Sequence, residues 1–139
     1  MIPVTLAVRL HRAGLQWHPA PGDRFAMPDR DLDDDVFVLS DMTIQVYDTP
    51  DEQLIGFNGT VEWALDDIAV HEAIWLPRED QLRDLLRGTF RRLEREAGAY
   101  RVTLETVDGG RAFSAQTAEE AYGHALLHLI ESAVAPVAP

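Results

Sequence analysis

The chain has 139 residues, 46% hydrophobic and 26% charged, with no cysteine and a formal net charge of −12. That composition fits one globular domain with its own core, not a disordered acidic tail. It excludes disulfides, thiolate metal sites and cysteine nucleophiles, and, because all twelve basic residues are arginine, lysine Schiff bases as well.

Val4, Leu6, Ala7 and Leu10, followed by Gly14, predict an amphipathic helix over 4–13 with a glycine stop. A proline-rich loop, Trp17-His18-Pro19-Ala20-Pro21-Gly22, leads to a short extended piece at Arg24–Met27. From Val36 to Val46 the even positions read Val36, Val38, Ser40, Met42, Ile44 and Val46. From Ile55 to Leu65 the odd positions read Ile55, Phe57, Gly59, Val61, Trp63 and Leu65. Each is a period-two apolar face, so the expectation is one long antiparallel hairpin pairing 36–47 with 54–65 through the turn-type residues between Asp48 and Gln53. Pairing positions that sum to 101 puts both apolar faces on one side, with Val38 opposite Trp63 and Ile44 opposite Phe57. A slip of one residue would expose one of them. Gly59 is the expected bend.

Pro77, Glu79 and Asp80 open a helix expected over 78–88, with Leu82, Leu85 and Leu86 as its buried stripe. Gly88 ends it, unless Phe90 and Leu93, at helical spacing, carry it on. Tyr100, Val102, Leu104 and Thr106 alternate with polar residues as a strand. Asp108-Gly109-Gly110 turns into a second strand, Arg111–Ala115. Thr117-Ala-Glu-Glu120 is a capping box opening a helix over 118–132. Residues 1–139 therefore read as a single α+β domain.

The charge is not spread evenly. Residues 29–72 hold 13 carboxylates and one arginine, and net −12; the other 95 residues balance, 11 acids against 11 arginines. In the expected hairpin Asp33, Asp34 and Asp35 precede the first strand and Asp66 and Asp67 follow the second, so all five meet at its open end. Asp48, Asp51 and Glu52 sit at the other end. An acidic surface of this kind suits a basic protein partner and argues against duplex nucleic acid.

Two carboxylate or histidine groupings invite a metal reading. Asp33, Asp35, Asp66 and Asp67 could hold Ca²⁺ or Mg²⁺, although counting from Asp29 puts Asp34 where a calcium loop needs glycine and Ser40 where it needs glutamate. His124 and His128, one helical turn apart and flanked by Glu120 and Glu131, could hold Zn²⁺, but no glutamate follows the first histidine as in a zincin helix. The segment Arg91–Ala99 partly matches a Nudix box through Arg91, Leu93, Glu96 and Gly98. Arg92 and Arg95 stand where Mg²⁺ needs carboxylates, so that chemistry is rejected. No nucleophile elbow, dinucleotide fingerprint or phosphate loop is present.

The runs Val36-Phe-Val-Leu-Ser-Asp-Met42, Ile55-Gly-Phe-Asn-Gly-Thr-Val-Glu-Trp-Ala-Leu65, Trp75-Leu-Pro-Arg-Glu-Asp-Gln-Leu82 and Ala118-Glu-Glu-Ala-Tyr122 resemble a family of small proteins from high-GC bacteria. Some of them carry the label "pilus assembly protein CpaE". The resemblance covers most of the chain and implies a compact family fold; it carries no catalytic residue across. The expectation is a cytoplasmic, non-enzymatic interaction module without cofactor, signal peptide or membrane span. Its partner surface is Asp33–Asp35, Asp48, Asp51, Glu52, Asp66 and Asp67. A divalent-metal protein, conceivably a hydrolase, is the alternative, and a homodimer through the hairpin edge is a third reading.

Overall fold

The computed structural model of the chain describes residues 1–28, 32–39, 44–48, 53–57, 68–69 and 72–134. They form an α+β structure whose chain divides into two compact units, Gln16–Leu76 and, from two separate stretches, Met1–Leu15 with Pro77–Pro139.

The unit Gln16–Leu76 is built from short strands: β1 (Arg24–Met27), β2 (Leu32–Val38), β3 (Ile44–Asp48), β4 (Gln53–Phe57), β5 (Ile68–Ala69) and β6 (Ile74–Trp75). They pair as two antiparallel three-stranded sheets, ordered β2-β1-β6 and β3-β4-β5. The turn-proximal half of the expected hairpin is present in the expected register, with Ile44 opposite Phe57 and Val46 opposite Ile55. Its other half differs. Residues 36–38 belong to β2, in the other sheet, where Val36 faces Ala26 and Val38 faces Arg24. The expected partner Trp63 and the bend at Gly59 lie outside the described residues.

The buried parity on β2 is also the reverse of the expected one. Phe37 packs against the core and Leu39 is buried, whereas Val36 and Val38 are 39% and 54% exposed. Residues 36–39 are apolar at every position, so alternation there cannot choose a face. The larger Phe37 and Leu39 remove more apolar area from water than two valines would. Phe37 stacks on Phe25 with ring centroids 5.3 Å apart, and Phe25 meets Trp17 at 5.4 Å. Met27 and Ala73 complete this cluster.

Among the described residues, one charged side chain sits within that unit's core. Asp23 is 3% exposed, and its Oδ2 accepts the Trp17 indole N–H at 2.9 Å and the Ala20 backbone N–H at 3.0 Å. The Asp23 N–H in turn donates to the Ala20 carbonyl at 3.1 Å, closing the Ala20-Pro21-Gly22-Asp23 turn. A carboxylate can be buried here because it gathers donors that would otherwise be unpaired.

The second unit contains α1 (Val4–Ala13), α2 (Glu79–Leu86), β7 (Phe90–Glu96), β8 (Ala99–Thr106), β9 (Gly109–Ala115) and α3 (Ala118–Val134). Helix α1 ends as the glycine stop predicts. Gly14 has φ +119°, its N–H donates to the His11 carbonyl, and the Leu15 N–H reaches back to the Leu10 carbonyl, a Schellman closure. Pro77 lies one residue outside α2, whose N-cap is Arg78; the Arg78 N–H donates to Gln81 Oε1 at 2.9 Å. Thr117 caps α3 as expected, with the Glu120 N–H donating to Thr117 Oγ1 at 3.2 Å and the Thr117 hydroxyl donating to Glu120 Oε1 at 3.5 Å.

Helix α2 stops at Leu86. Arg87 takes φ +52° and begins a single 3₁₀ turn, and the chain then enters β7 rather than continuing as helix. In the antiparallel sheet β7-β8-β9 the register shifts between Phe90 and Arg92, so Phe90 stands opposite Leu104 and Leu93 opposite Val102. Val102 and Leu104 are fully buried. The bulge therefore explains why two residues three apart share the inner face of a strand, a spacing that otherwise signals helix. Strand β7 also removes the helix a Nudix box would need.

Helix α3 packs against α1, α2, β8 and β9 and is the centre of this unit. Its Gly123 lies close against Leu6 of α1. A Cβ placed there would lie 2.6 Å from Leu6 Cδ2 and 3.3 Å from Ile2 Cδ1.

Candidate binding surfaces

The division into units sharpens the charge distribution. Gln16–Leu76 holds 14 carboxylates and two arginines, a net of −12, while the other unit holds ten of each and nets zero. The arginines of the neutral unit are largely occupied locally. Arg92 pairs with Glu94, Arg101 with Glu96 at 3.2 Å, and the Arg95 guanidinium lies 5.7 Å from the Tyr100 ring centre.

The expected acidic surface is described in part. Asp33, Asp34 and Asp35 lie within β2, not ahead of a strand as expected. They fall where the ladder breaks: Leu32 is opposite Met27 and Val36 opposite Ala26, so the three aspartates have no facing residues on β1. Aspartate is a poor strand former, and an irregularity of this kind frees it from the ladder. Asp48 ends β3, opposite Gln53. Asp51, Glu52, Asp66 and Asp67 lie outside the described residues, so the meeting of Asp33–Asp35 with Asp66 and Asp67 is not part of the described structure.

Among the described residues no group of three or more His, Asp or Glu is placed to hold a metal ion. Glu120, the expected companion of His124 and His128, belongs to the N-terminal cap of α3: its N–H is bound by Thr117, and its Oε1 is 3.5 Å from the Thr117 hydroxyl.

The two histidines do share a site, though with different neighbours. They line an open groove of about 430 Å³ between α3 and the edge strand β9. Helix α3 contributes His124, Leu127, His128 and Glu131, strand β9 contributes Phe113 and Ser114, and α1 brings Arg9. The close crossing at Gly123 is what carries α1 alongside this stretch of α3. The His128 ring rests on Phe113, with centroids 5.4 Å apart. Among the described residues no hydrogen bond or ion pair engages Arg9, His124 or Glu131. Arg9, Phe113 and Ser114 carry no sequence signal for this role, because only the packing of α1 and β9 on α3 brings them together.

Tyr122, one turn from the groove, is fully buried and meets the Phe90 ring at 5.8 Å. Its hydroxyl has no hydrogen-bond partner at proper geometry. Desolvation raises its pKa above the ordinary tyrosine value, Glu79 adds to the rise, and the nearby Arg83 charge opposes it.

These features define an α+β protein with an acidic unit, a neutral unit and no assembled catalytic constellation among the described residues. No family model, curated protein or solved structure matches the chain. Among the described residues no helix is long and apolar enough to cross a membrane.

Proposed function

We propose that the chain is a non-enzymatic interaction module whose acidic unit binds a basic protein. The observation that carries this reading is the segregation of charge: the full −12 resides in Gln16–Leu76, while the other unit has zero net charge. A field of one sign confined to part of a molecule steers an oppositely charged partner and fixes its orientation, affecting encounter rate more than final affinity. The three consecutive aspartates without facing residues on β1 are one part of that field whose backbone positions are described.

The test is affinity capture at low ionic strength, followed by titration of each recovered basic protein against the wild type and an Asp33→Asn, Asp34→Asn, Asp35→Asn triple variant. The expected result is association that slows by roughly tenfold or more between about 50 and 300 mM salt, with the triple variant slower at low salt and less salt-sensitive. Recovery of no basic partner, or binding indifferent to both salt and the variant, would refute the proposal.

A further inference from the structure

The geometry points to a second binding site on the neutral unit: the groove between α3 and β9 takes a small organic carboxylate with an apolar body. This inference concerns a different unit from the acidic surface and stands or falls separately from it. Three observations converge on it. The groove's volume, about 430 Å³, lies within the range of small-molecule sites. Its apolar lining is Phe113, Leu127 and Ala112, enough to cover one ring or a short aliphatic chain. Its polar lining is rich in donors, with a guanidinium, two imidazoles and the Ser114 hydroxyl.

The charge balance around the groove favours an anion. On the nearby sheet Arg92 and Arg101 pair with glutamates and Arg95 lies over the Tyr100 ring, whereas the Arg9 side chain, which lines the groove, is engaged by no hydrogen bond or ion pair among the described residues, and neither is that of His124. An arginine offers a carboxylate two parallel N–H donors, which neither a histidine nor a hydroxyl can do. Arg9 is therefore the group that holds the carboxylate, with His124 and Ser114 as further donors. His128 is committed to the Phe113 ring and forms the wall against which the apolar body lies. Glu131, on the same flank of α3, carries the only negative side chain of the lining. It disfavours a second negative charge on the ligand, which selects a monocarboxylate over a dianion.

Phenylacetate serves as the probe, followed through the histidine and phenylalanine ring resonances of the intact chain, with acetate and benzylamine as controls. Saturable shifts of His124, His128 and Phe113 are expected with phenylacetate in the millimolar range appropriate to about ten non-hydrogen atoms in an open groove. Acetate, which lacks the ring, binds several-fold more weakly, and benzylamine, which reverses the charge, gives no saturable shift. Arg9→Gln weakens phenylacetate binding by about tenfold, the usual scale for losing a hydrogen-bonded charge. Glu131→Gln tightens it by a few-fold, an effect that simple damage to the fold would not produce. Both side chains are exposed, so neither variant threatens folding. The inference is overturned if phenylacetate produces no saturable shift, if benzylamine binds as well, or if Arg9→Gln leaves the affinity unchanged.

Discussion

The crossing of α1 over α3 at Gly123 supports a prediction whose sign depends on context. Replacing glycine by alanine inside a helix normally stabilises by about 0.8–1 kcal/mol, because glycine loses more backbone entropy on folding. At position 123 the added methyl would lie 2.6 Å from Leu6 Cδ2 and 3.3 Å from Leu6 Cγ and Ile2 Cδ1, inside their contact distances. Leu6 is only 5% exposed and Ile2 1%, so neither can swing into solvent. Overpacking of this kind costs about 1–3 kcal/mol. The net expectation for Gly123→Ala is a loss of about 1 kcal/mol. Leu6→Ala alone opens a cavity and costs about 2–5 kcal/mol. In that background both obstructing Leu6 carbons are gone and only Ile2 Cδ1, at 3.3 Å, remains, so Gly123→Ala becomes stabilising by up to about 1 kcal/mol and the two changes couple favourably by about 2 kcal/mol. Urea unfolding of the four proteins, followed by far-ultraviolet circular dichroism, measures the cycle. If Gly123→Ala stabilises equally in both backgrounds, α1 does not approach α3 as closely as described, and the positioning of Arg9 loses its structural basis.

The β7–β8 turn offers a gain. Ala97 and Gly98 both have positive φ, +50° and +81°, so Ala97→Asn, which tolerates that region better, is expected to raise stability by about 0.5–1 kcal/mol in the same urea assay. Tyr122→Phe removes a buried hydroxyl that makes no well-formed hydrogen bond, with Arg83 as its nearest donor, and should be close to neutral at pH 7. Because the folded-state pKa of Tyr122 is raised, its contribution is fully present below the unfolded tyrosine value near 10 and is lost as pH rises through the folded value. The phenylalanine variant should therefore lose less stability than wild type when titrated above about pH 10. Asp23→Ala strands the buried Trp17 indole N–H and the Ala20 N–H and should cost about 1–3 kcal/mol, visible as a lower urea midpoint and a red-shifted tryptophan emission.

The parts of this fold that could be read from sequence are those whose determinants are local. Gly14 ends α1, Thr117 and Glu120 cap α3, and the 3.6-residue spacing of Leu82 and Leu86 marks α2; each signal is complete within one or two turns. The register of β3 with β4 was also legible, because burial forbids a slip of one residue. The errors arose where the pattern was ambiguous. Val36-Phe37-Val38-Leu39 is apolar at every position, so nothing local says which pair faces inward. Phe90 and Leu93 imitate a helix because a bulge separates them. The groove is half legible: His124 and His128 stand out by their one-turn spacing and both line it, whereas Glu120 lies at the α3 cap and does not. Arg9 and Phe113, which also line it, come from elements distant in the chain.

The neutral unit draws on both ends of the described chain, with Gln16–Leu76 running between its two parts. During synthesis α1 therefore emerges before α3, its main packing partner, and the two are separated by about 100 residues, or roughly 5–20 s of translation. For that interval Leu6, Ala7 and Leu10 lack their α3 partner, while the acidic unit is finished once Leu76 has been made. The newborn chain is thus acidic before it is whole, and its own charge keeps copies apart while a sticky helix waits for its seat.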